Sequence, residues 1–355
     1  METILEKVKE ELKTFIGYPL NAAYDYSGVI KSFLLNMNNI GCPFTHSTLK
    51  INTKDVELEV LEFFAQLWGI CTSNIWGYIT SSGTEGNLQG IYVGREFLGN
   101  KPVFYTSRES HYSIFKIARL LDLDMKVIQT SETGEMDYKD FEDKLSQNLD
   151  RPVLINANLG TTMKCAIDDT REIYRVLKKY KKHNDYYLHA DAALMGFVLP
   201  FIEKDLFFKN HIHSIAISGH KFLGIPFPCG VFLMEKRFLA KVSTAVEYIG
   251  TIDCTISGSR SGHSPLFFKH IIDTKGIDGF KKDIEACIEN AEYLAEKLPN
   301  AWRNQNSIIV VFPKPADDIV HKWQLATSEN VSHVVVMPHV TKELLDDFIV
   351  DMLMS

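Results

Sequence analysis

The chain has 355 residues, 45% of them hydrophobic and 23% charged, a balance that suits a globular protein with a large core and argues against disorder or membrane residence. Lys and Arg number 38 against 45 Asp and Glu, giving a net charge of −7, and no polybasic block occurs, so the basic footprint of a nucleic-acid binder is missing. Six scattered cysteines (Cys42, Cys71, Cys165, Cys229, Cys254 and Cys287) include no C-x-x-C pair; they read as reduced packing residues, with no metal site expected.

In chain order, residues 1–14 read as a charged amphipathic helix, ended by the Gly17-Tyr18-Pro19 turn. That start lacks the basic opening and apolar run of a signal peptide. No later run approaches the roughly 20 apolar residues needed to cross a bilayer, so a cytoplasmic protein is expected. The stretch 36–47 is broken and polar, and 55–68 suits a half-buried helix. Short apolar runs at 76–80, 102–106, 126–129, 153–157, 186–190, 214–218 and 230–235 read as buried strands, with helical stretches at 85–97, 112–121, 138–147 and 170–181 between them. This alternation predicts an α/β fold with a mostly parallel central sheet. A helix over 278–298, strands at 307–312 and 333–337 and a closing helix at 344–354 suggest a smaller α/β lobe. The expected organisation is an N-terminal helix and arm (1–50), a large domain (51–250) and a small C-terminal domain (251–355).

Such sheets bind ligands beyond the carboxyl ends of their strands, and four segments at those ends carry chemistry. Lys221, in Ser218-Gly219-His220-Lys221, follows the strand at 214–218. Among small and apolar neighbours its amine would be desolvated and nucleophilic toward an aldehyde. Asp191, in His189-Ala190-Asp191-Ala192-Ala193, could hold a proton on a pyridine nitrogen, and small Ala193 would let a flat ring lie against the backbone. Ser82-Gly83-Thr84 opens the helix after the strand at 76–80 and forms an anion cup without the lysine of a P-loop. His111, opening the next helix, is placed to stack on a planar ring. Together they fit pyridoxal 5'-phosphate (PLP).

The ordered set Ser82–Asn87, His111–Ser113, Gly160–Thr162, His189–Ala193 and Ser218–Lys221 resembles the group II PLP-dependent amino-acid decarboxylases, whose fold is that of aspartate aminotransferase (fold type I). Ile225–Gly230, Gly258–His263, Asn300–Asn304 and Asn306–Pro313 are similar to the bacterial PLP-dependent histidine decarboxylases. Gly41–Phe44, Ser107–His111 and Val334–Pro338 are similar to the plant serine decarboxylases. The resemblance runs from about Tyr18 to the C-terminus.

It implies that Lys221 carries PLP as a Schiff base, that Asp191 protonates the ring nitrogen and that His111 stacks on the ring and helps position the substrate carboxylate. Phosphate contacts would come from Ser82, Gly83, Thr84, Ser218 and His220, with Ser259 reaching across from a neighbouring subunit of a homodimer. Thr161 and Thr162 would lie near the cofactor. Tyr248 would return a proton to Cα, and Ser307 would lie near the substrate. The implied reaction is decarboxylation of an L-amino acid, with L-histidine to histamine expected first and L-serine to ethanolamine as the alternative. A catalytically silent PLP-fold binding subunit is disfavoured, because both Lys221 and Asp191 are present.

Overall fold

A computed structural model describes residues 2–99, 101–181, 185–203 and 211–354. Seven strands build the central sheet: β1 (Ile75–Thr80), β2 (Val103–Ser107), β3 (Asp124–Ile128), β4 (Val153–Asn158), β5 (Tyr186–Asp191), β6 (Ser214–Ser218) and β7 (Gly230–Glu235). Their order is β1-β7-β6-β5-β4-β2-β3, and only β7 runs against the rest. The carboxyl ends of β1, β2, β4, β5 and β6 therefore lie along one edge. Each of these five strands is buried throughout, as expected of strands covered by helices on both faces.

The helices are α1 (Glu2–Glu11), α2 (Lys54–Leu67), α3 (Gly83–Leu98), α4 (Tyr112–Leu120), α5 (Tyr138–Ser146), α6 (Thr170–Tyr180), α7 (Met195–Ile202), α8 (His263–Lys297), α9 (Asp317–Lys322) and α10 (Lys342–Met354). After β7 come a short hairpin, β8 (Thr244–Val246) with β9 (Thr251–Asp253), and a three-stranded antiparallel sheet of β10 (Ile309–Pro313), β12 (Val331–Val335) and β11 (Ala326–Ser328), in that spatial order. The α/β fold and its mostly parallel sheet agree with the sequence-based expectation. Helix α8 begins fifteen residues before the expected start at 278. Gly276, at φ 62°, interrupts its hydrophobic pattern with a left-handed kink, and the buried face before it (Phe267, Phe268, Ile271) reads as a separate run.

Helix α3 lies unusually close to the sheet because glycines recur along one face. A Cβ at Gly86 would come within 2.8 Å of the Ala216 Cβ, one at Gly90 within 2.2 Å of the His189 Nδ1, and one at Gly94 within 2.5 Å of a Leu154 methyl. The stripe seats the helix on β4, β5 and β6 with its N-terminus at their carboxyl edge.

A buried ion pair fastens the segment leading into α8. The Arg260 guanidinium pairs with Glu57 of α2, both almost fully removed from solvent, and donates to the Gly41 carbonyl at 2.9 Å. Glu57 also accepts from the Asn39 amide and the Ile79 N–H, each at 2.8 Å. Removing one partner of such a pair strands the other charge in the interior. Arg260→Met is therefore expected to cost about 3–5 kcal/mol. Urea denaturation checks this, and a loss below about 1 kcal/mol would mean that Glu57 finds another partner.

Candidate active site

One cavity of about 320 Å³ opens at the carboxyl edge of the sheet. Its lining includes Ser82, Gly83, Thr84, His111, Thr161, Thr162, Asp191, Ala193, Ser218, His220 and Lys221, which lie far apart in sequence.

Lys221 sits in the turn after β6. The Ser218 N–H donates to the Ala193 carbonyl at 3.0 Å, and the Gly219 N–H to the Cys229 carbonyl at 2.9 Å. The Lys221 carbonyl accepts from the Asn21 and Gly224 N–H groups at 3.2 and 3.0 Å, so the N-terminal arm grips the turn from outside. Gly224, at φ 63°, has no room for a side chain, since a Cβ would lie 2.5 Å from the Asn21 carbonyl oxygen. Burial lowers the Lys221 pKa from the ordinary lysine value, opposed by the negative charge of Asp191. The neutral amine is thereby favoured relative to a surface lysine.

Asp191 ends β5. The carboxylate is buried, and among the described residues its side chain accepts only the Ala193 N–H, at 3.3 Å. Its charge also reaches His111, whose pKa is lowered by burial, raised by Asp191 and lowered again by Lys221. The three groups thus sense one another across one space. His111 caps α4: its Nδ1 accepts from the Ser113 N–H at 3.3 Å and lies 2.7 Å from the Ser113 hydroxyl. An Nδ1 that accepts from the backbone leaves the proton of a neutral ring on Nε2.

The cup is the first turn of α3. Ser82 has extended backbone and caps the helix, its hydroxyl accepting the Glu85 N–H at 3.2 Å. The N–H groups of Gly83 and Thr84, which have no acceptor within the helix, remain for an anion. A Cβ on Gly83 would meet the Ser218 hydroxyl at 2.3 Å, so only glycine brings that turn against the β6 end. Ser81 and Tyr78 (3.0 Å) donate to the Glu85 carboxylate, as does Ser257 at 2.7 Å. His220 is half-buried, its Nδ1 3.0 Å from the Cys229 carbonyl. Thr161 is buried, its hydroxyl accepting the Ala166 N–H at 3.0 Å.

His189 lies behind the site. Its Nδ1 is 2.8 Å from the Ser214 hydroxyl and its Nε2 2.9 Å from the Asn87 amide oxygen. Burial pushes its pKa down to about 3. A base held neutral in the fold but free to take a proton when unfolded stabilises fully above its unfolded pKa, about 6.5, and loses that contribution as pH falls toward 3. Between those limits it is expected to steepen acid unfolding by about 1.4 kcal/mol per pH unit. His189→Gln should flatten that limb of the stability curve; an unchanged slope in urea titrations at pH 6.5, 5.5 and 4.5 would refute the assignment.

Three residues named from the sequence lie outside this cavity. Ser307 is fully buried, and its hydroxyl exchanges 2.9 Å hydrogen bonds with the Ile309 backbone; the wall at that strand is Ile309 itself. Tyr248 is 84% exposed in the helical turn Glu247–Ile249 between β8 and β9. Ser259 is exposed, with the Asn38 amide 3.2 Å from its hydroxyl.

The cavity also has walls that were not singled out from the sequence: Tyr18 and Pro19 from the arm, Asn87, Asn158, Leu194 and Pro228 near the sheet edge, and Ile309, Ala326, His333 and Val335 from the small sheet. His333 is buried, with Nδ1 2.9 Å from the Met163 carbonyl and Nε2 3.1 Å from the Gly17 carbonyl, so it ties the loop after β4 to the arm. Its one legible signal is a histidine opening the apolar run Val334–Met337.

The arrangement meets the demands of PLP: a desolvated amine for the aldehyde, a buried carboxylate short of donors for the pyridine nitrogen, small Ala193 beside the ring, and a glycine-tight cup for the phosphate. The described residues contain no cluster that could hold a metal ion and no helix long and apolar enough to cross a membrane.

Comparison with known proteins agrees with this chemistry. The pyridoxal-dependent decarboxylase conserved domain matches residues 44–313. Serine decarboxylase 1 of Oryza sativa subsp. japonica is 42% identical over 96% of this chain and 72% of its own. The histidine decarboxylase of Solanum lycopersicum is 43% identical over 98% of this chain and 86% of its own, and that of Vibrio anguillarum 39% identical over 95% and 90%. Among solved structures, an L-methionine decarboxylase from Streptomyces sp. 590 superposes with a TM-score of 0.91 at 23% identity, covering 99% of this chain and 94% of that one, a likeness of fold.

Proposed function

The chain belongs to the pyridoxal-dependent decarboxylase family, and we propose that within it the chain converts L-histidine to histamine and carbon dioxide. PLP-dependent decarboxylation of an amino acid is the family's reaction; the substrate and the residue roles below are our reading. When bound, PLP supplies an electron sink for the bond that breaks at the substrate Cα.

The observation that carries this reading is the meeting of Lys221, Asp191 and the Ser82–Thr84 turn on one cavity. Lys221 would hold the cofactor through its aldehyde. Asp191 holds a proton on the ring nitrogen. Gly83 and Thr84 N–H groups, with Ser82, Ser218 and His220, bind the phosphate. His111 covers the ring face and, with its proton on Nε2, donates toward the substrate carboxylate. The walls of the cavity would orient the substrate bond that breaks.

L-Histidine is favoured by the outer wall, where Tyr18, Leu194, Ile309 and Val335 offer flat and apolar surface to an imidazole. L-Serine is the second reading, supported by rice serine decarboxylases of 42–44% identity. Purified enzyme supplied with PLP and a panel of amino acids, with each amine measured, tests both. Histamine as the main product is expected; ethanolamine release alone would reverse the choice, and release of neither would remove both.

The active unit is proposed to be a homodimer, in which the exposed Tyr248, as proton donor, and Ser259, as a phosphate ligand, serve the neighbouring subunit's cavity. Exposed Phe33, Leu34 and Leu35 offer apolar surface for that assembly. Sedimentation as a monomer at working concentration would remove it. Six free cysteines suit a reducing compartment such as the cytoplasm. The division into an arm (1–50), a large domain (51–250) and a small domain (251–355) belongs to the same reading.

A further inference from the structure

The turn that carries Lys221 is held from two directions by different parts of the chain. Before the lysine the sheet holds it, the Gly219 N–H donating to the Cys229 carbonyl at 2.9 Å. After it, three successive carbonyls face the N-terminal arm. The Lys221 carbonyl accepts the Asn21 N–H at 3.2 Å, the Phe222 carbonyl accepts the Asn21 side-chain amide at 2.8 Å, and the Leu223 carbonyl accepts the Tyr26 hydroxyl. Phe222 and Leu223 are fully buried, so water cannot serve their carbonyls, and among the described residues no other donor reaches either one. The two donors are themselves fixed. Asn21 is buried, and its amide oxygen accepts the Ala23 N–H at 2.8 Å. Tyr26 is buried and stacks on Phe267 of α8, with ring centroids 5.5 Å apart. His339 pins the arm between them and its start, its Nδ1 accepting the Ala22 N–H at 3.3 Å and its Nε2 donating to the Phe15 carbonyl at 3.0 Å.

We propose, on the reading of Lys221 as the cofactor anchor, that Asn21 and Tyr26 are positioning residues which set the direction from which the lysine amine enters the cavity. The Cα–Cβ bond of a residue takes its direction from the peptide units on either side of it. At Lys221 the sheet fixes the preceding units and the arm fixes the following ones. A buried carbonyl deprived of its donor is costly, so the turn would shift to find another. A displacement of about 1 Å at a reacting group can slow its reaction about a hundredfold. The effect should fall on the amine alone, because the anion cup hangs from β1 and α3 and takes no hydrogen bond from Asn21 or Tyr26.

The test uses the full chain, freed of cofactor and remixed with PLP. Growth of the long-wavelength absorbance reports covalent capture, and borohydride reduction followed by peptide mass analysis reports which lysine holds the cofactor. Pyridoxamine 5'-phosphate, which has no aldehyde, reports binding at the cup without capture. Asn21→Ala is expected to slow capture by at least about tenfold and Tyr26→Phe by about threefold or more, with affinity for pyridoxamine 5'-phosphate within about twofold of the parent. Tyr24→Phe, which removes a 2.8 Å arm hydrogen bond to Asp283 of α8, should change neither reading. Capture at the parent rate in Asn21→Ala, with the cofactor on Lys221, would overturn the proposal; should that variant fail to fold, the parent rate in Tyr26→Phe would do the same. Equal losses of PLP capture and pyridoxamine 5'-phosphate affinity, or an equal slowing by Tyr24→Phe, would also overturn it, since the arm would then serve only to support the fold. Cofactor mapped to another lysine in the parent would instead remove the anchor reading, and this role with it.

Discussion

Lys221→Ala is expected to abolish the long-wavelength absorbance of the bound cofactor and to lower turnover by at least about a thousandfold, about 4 kcal/mol of barrier. Among the described residues Lys221 is the only lysine lining the cavity, so no second amine there stands ready to take its place. Because the amine is partly desolvated in the fold, its loss also removes a burial cost, and the apo-protein should be at least as stable as the parent. That combination separates an anchor from a structural residue: chemistry disappears while the thermal midpoint holds or rises. Absorbance titration with PLP, a decarboxylation assay and a melting curve on the same preparation read all three. Retained absorbance together with retained turnover would move the anchor elsewhere.

Asp191→Asn is expected to lower kcat by about 10²–10³, or 3–4 kcal/mol, the scale seen when one preorganised electrostatic partner of a developing charge is removed. The replacement is nearly isosteric and keeps an oxygen for the Ala193 N–H, so packing at the end of β5 should survive. What would be lost is the negative charge proposed to keep a proton on the ring nitrogen. The loss should therefore fall on kcat, with KM little changed, and should not be rescued by excess PLP. A decrease of less than about tenfold, or one cured by added cofactor, would mean that Asp191 serves only to bind.

The residues proposed to hold the cofactor were legible as sheet-edge residues in the sequence for a physical reason. Buried parallel strands are short apolar runs, and a polar residue just past such a run sits at the carboxyl edge of the sheet. Asp191 and Lys221 both follow that pattern, and Ser82–Thr84 and His111 add helix starts to it. The cavity walls were not legible in the same way. Tyr18 and Pro19 reach the site because Asn21 hydrogen-bonds the lysine turn across 200 residues of sequence, and His333 because β12 packs against the loop after β4. No local periodicity encodes such encounters. Ser307 was drawn in by resemblance, yet the turn before β10 directs its hydroxyl into the backbone and leaves Ile309 at the wall. The glycine stripe of α3 was readable, since residues four apart share a helix face, but its meaning depended on His189 lying beneath Gly90.

Part of the cavity wall comes from a different sheet than the residues proposed to hold the cofactor. Ile309, Ala326, His333 and Val335 belong to the three-stranded sheet, while Lys221, Asp191 and the cup follow β6, β5 and β1 of the seven-stranded one. On the proposed assignment, changes confined to the lesser sheet would reshape the cavity while leaving Lys221, Asp191 and the cup untouched.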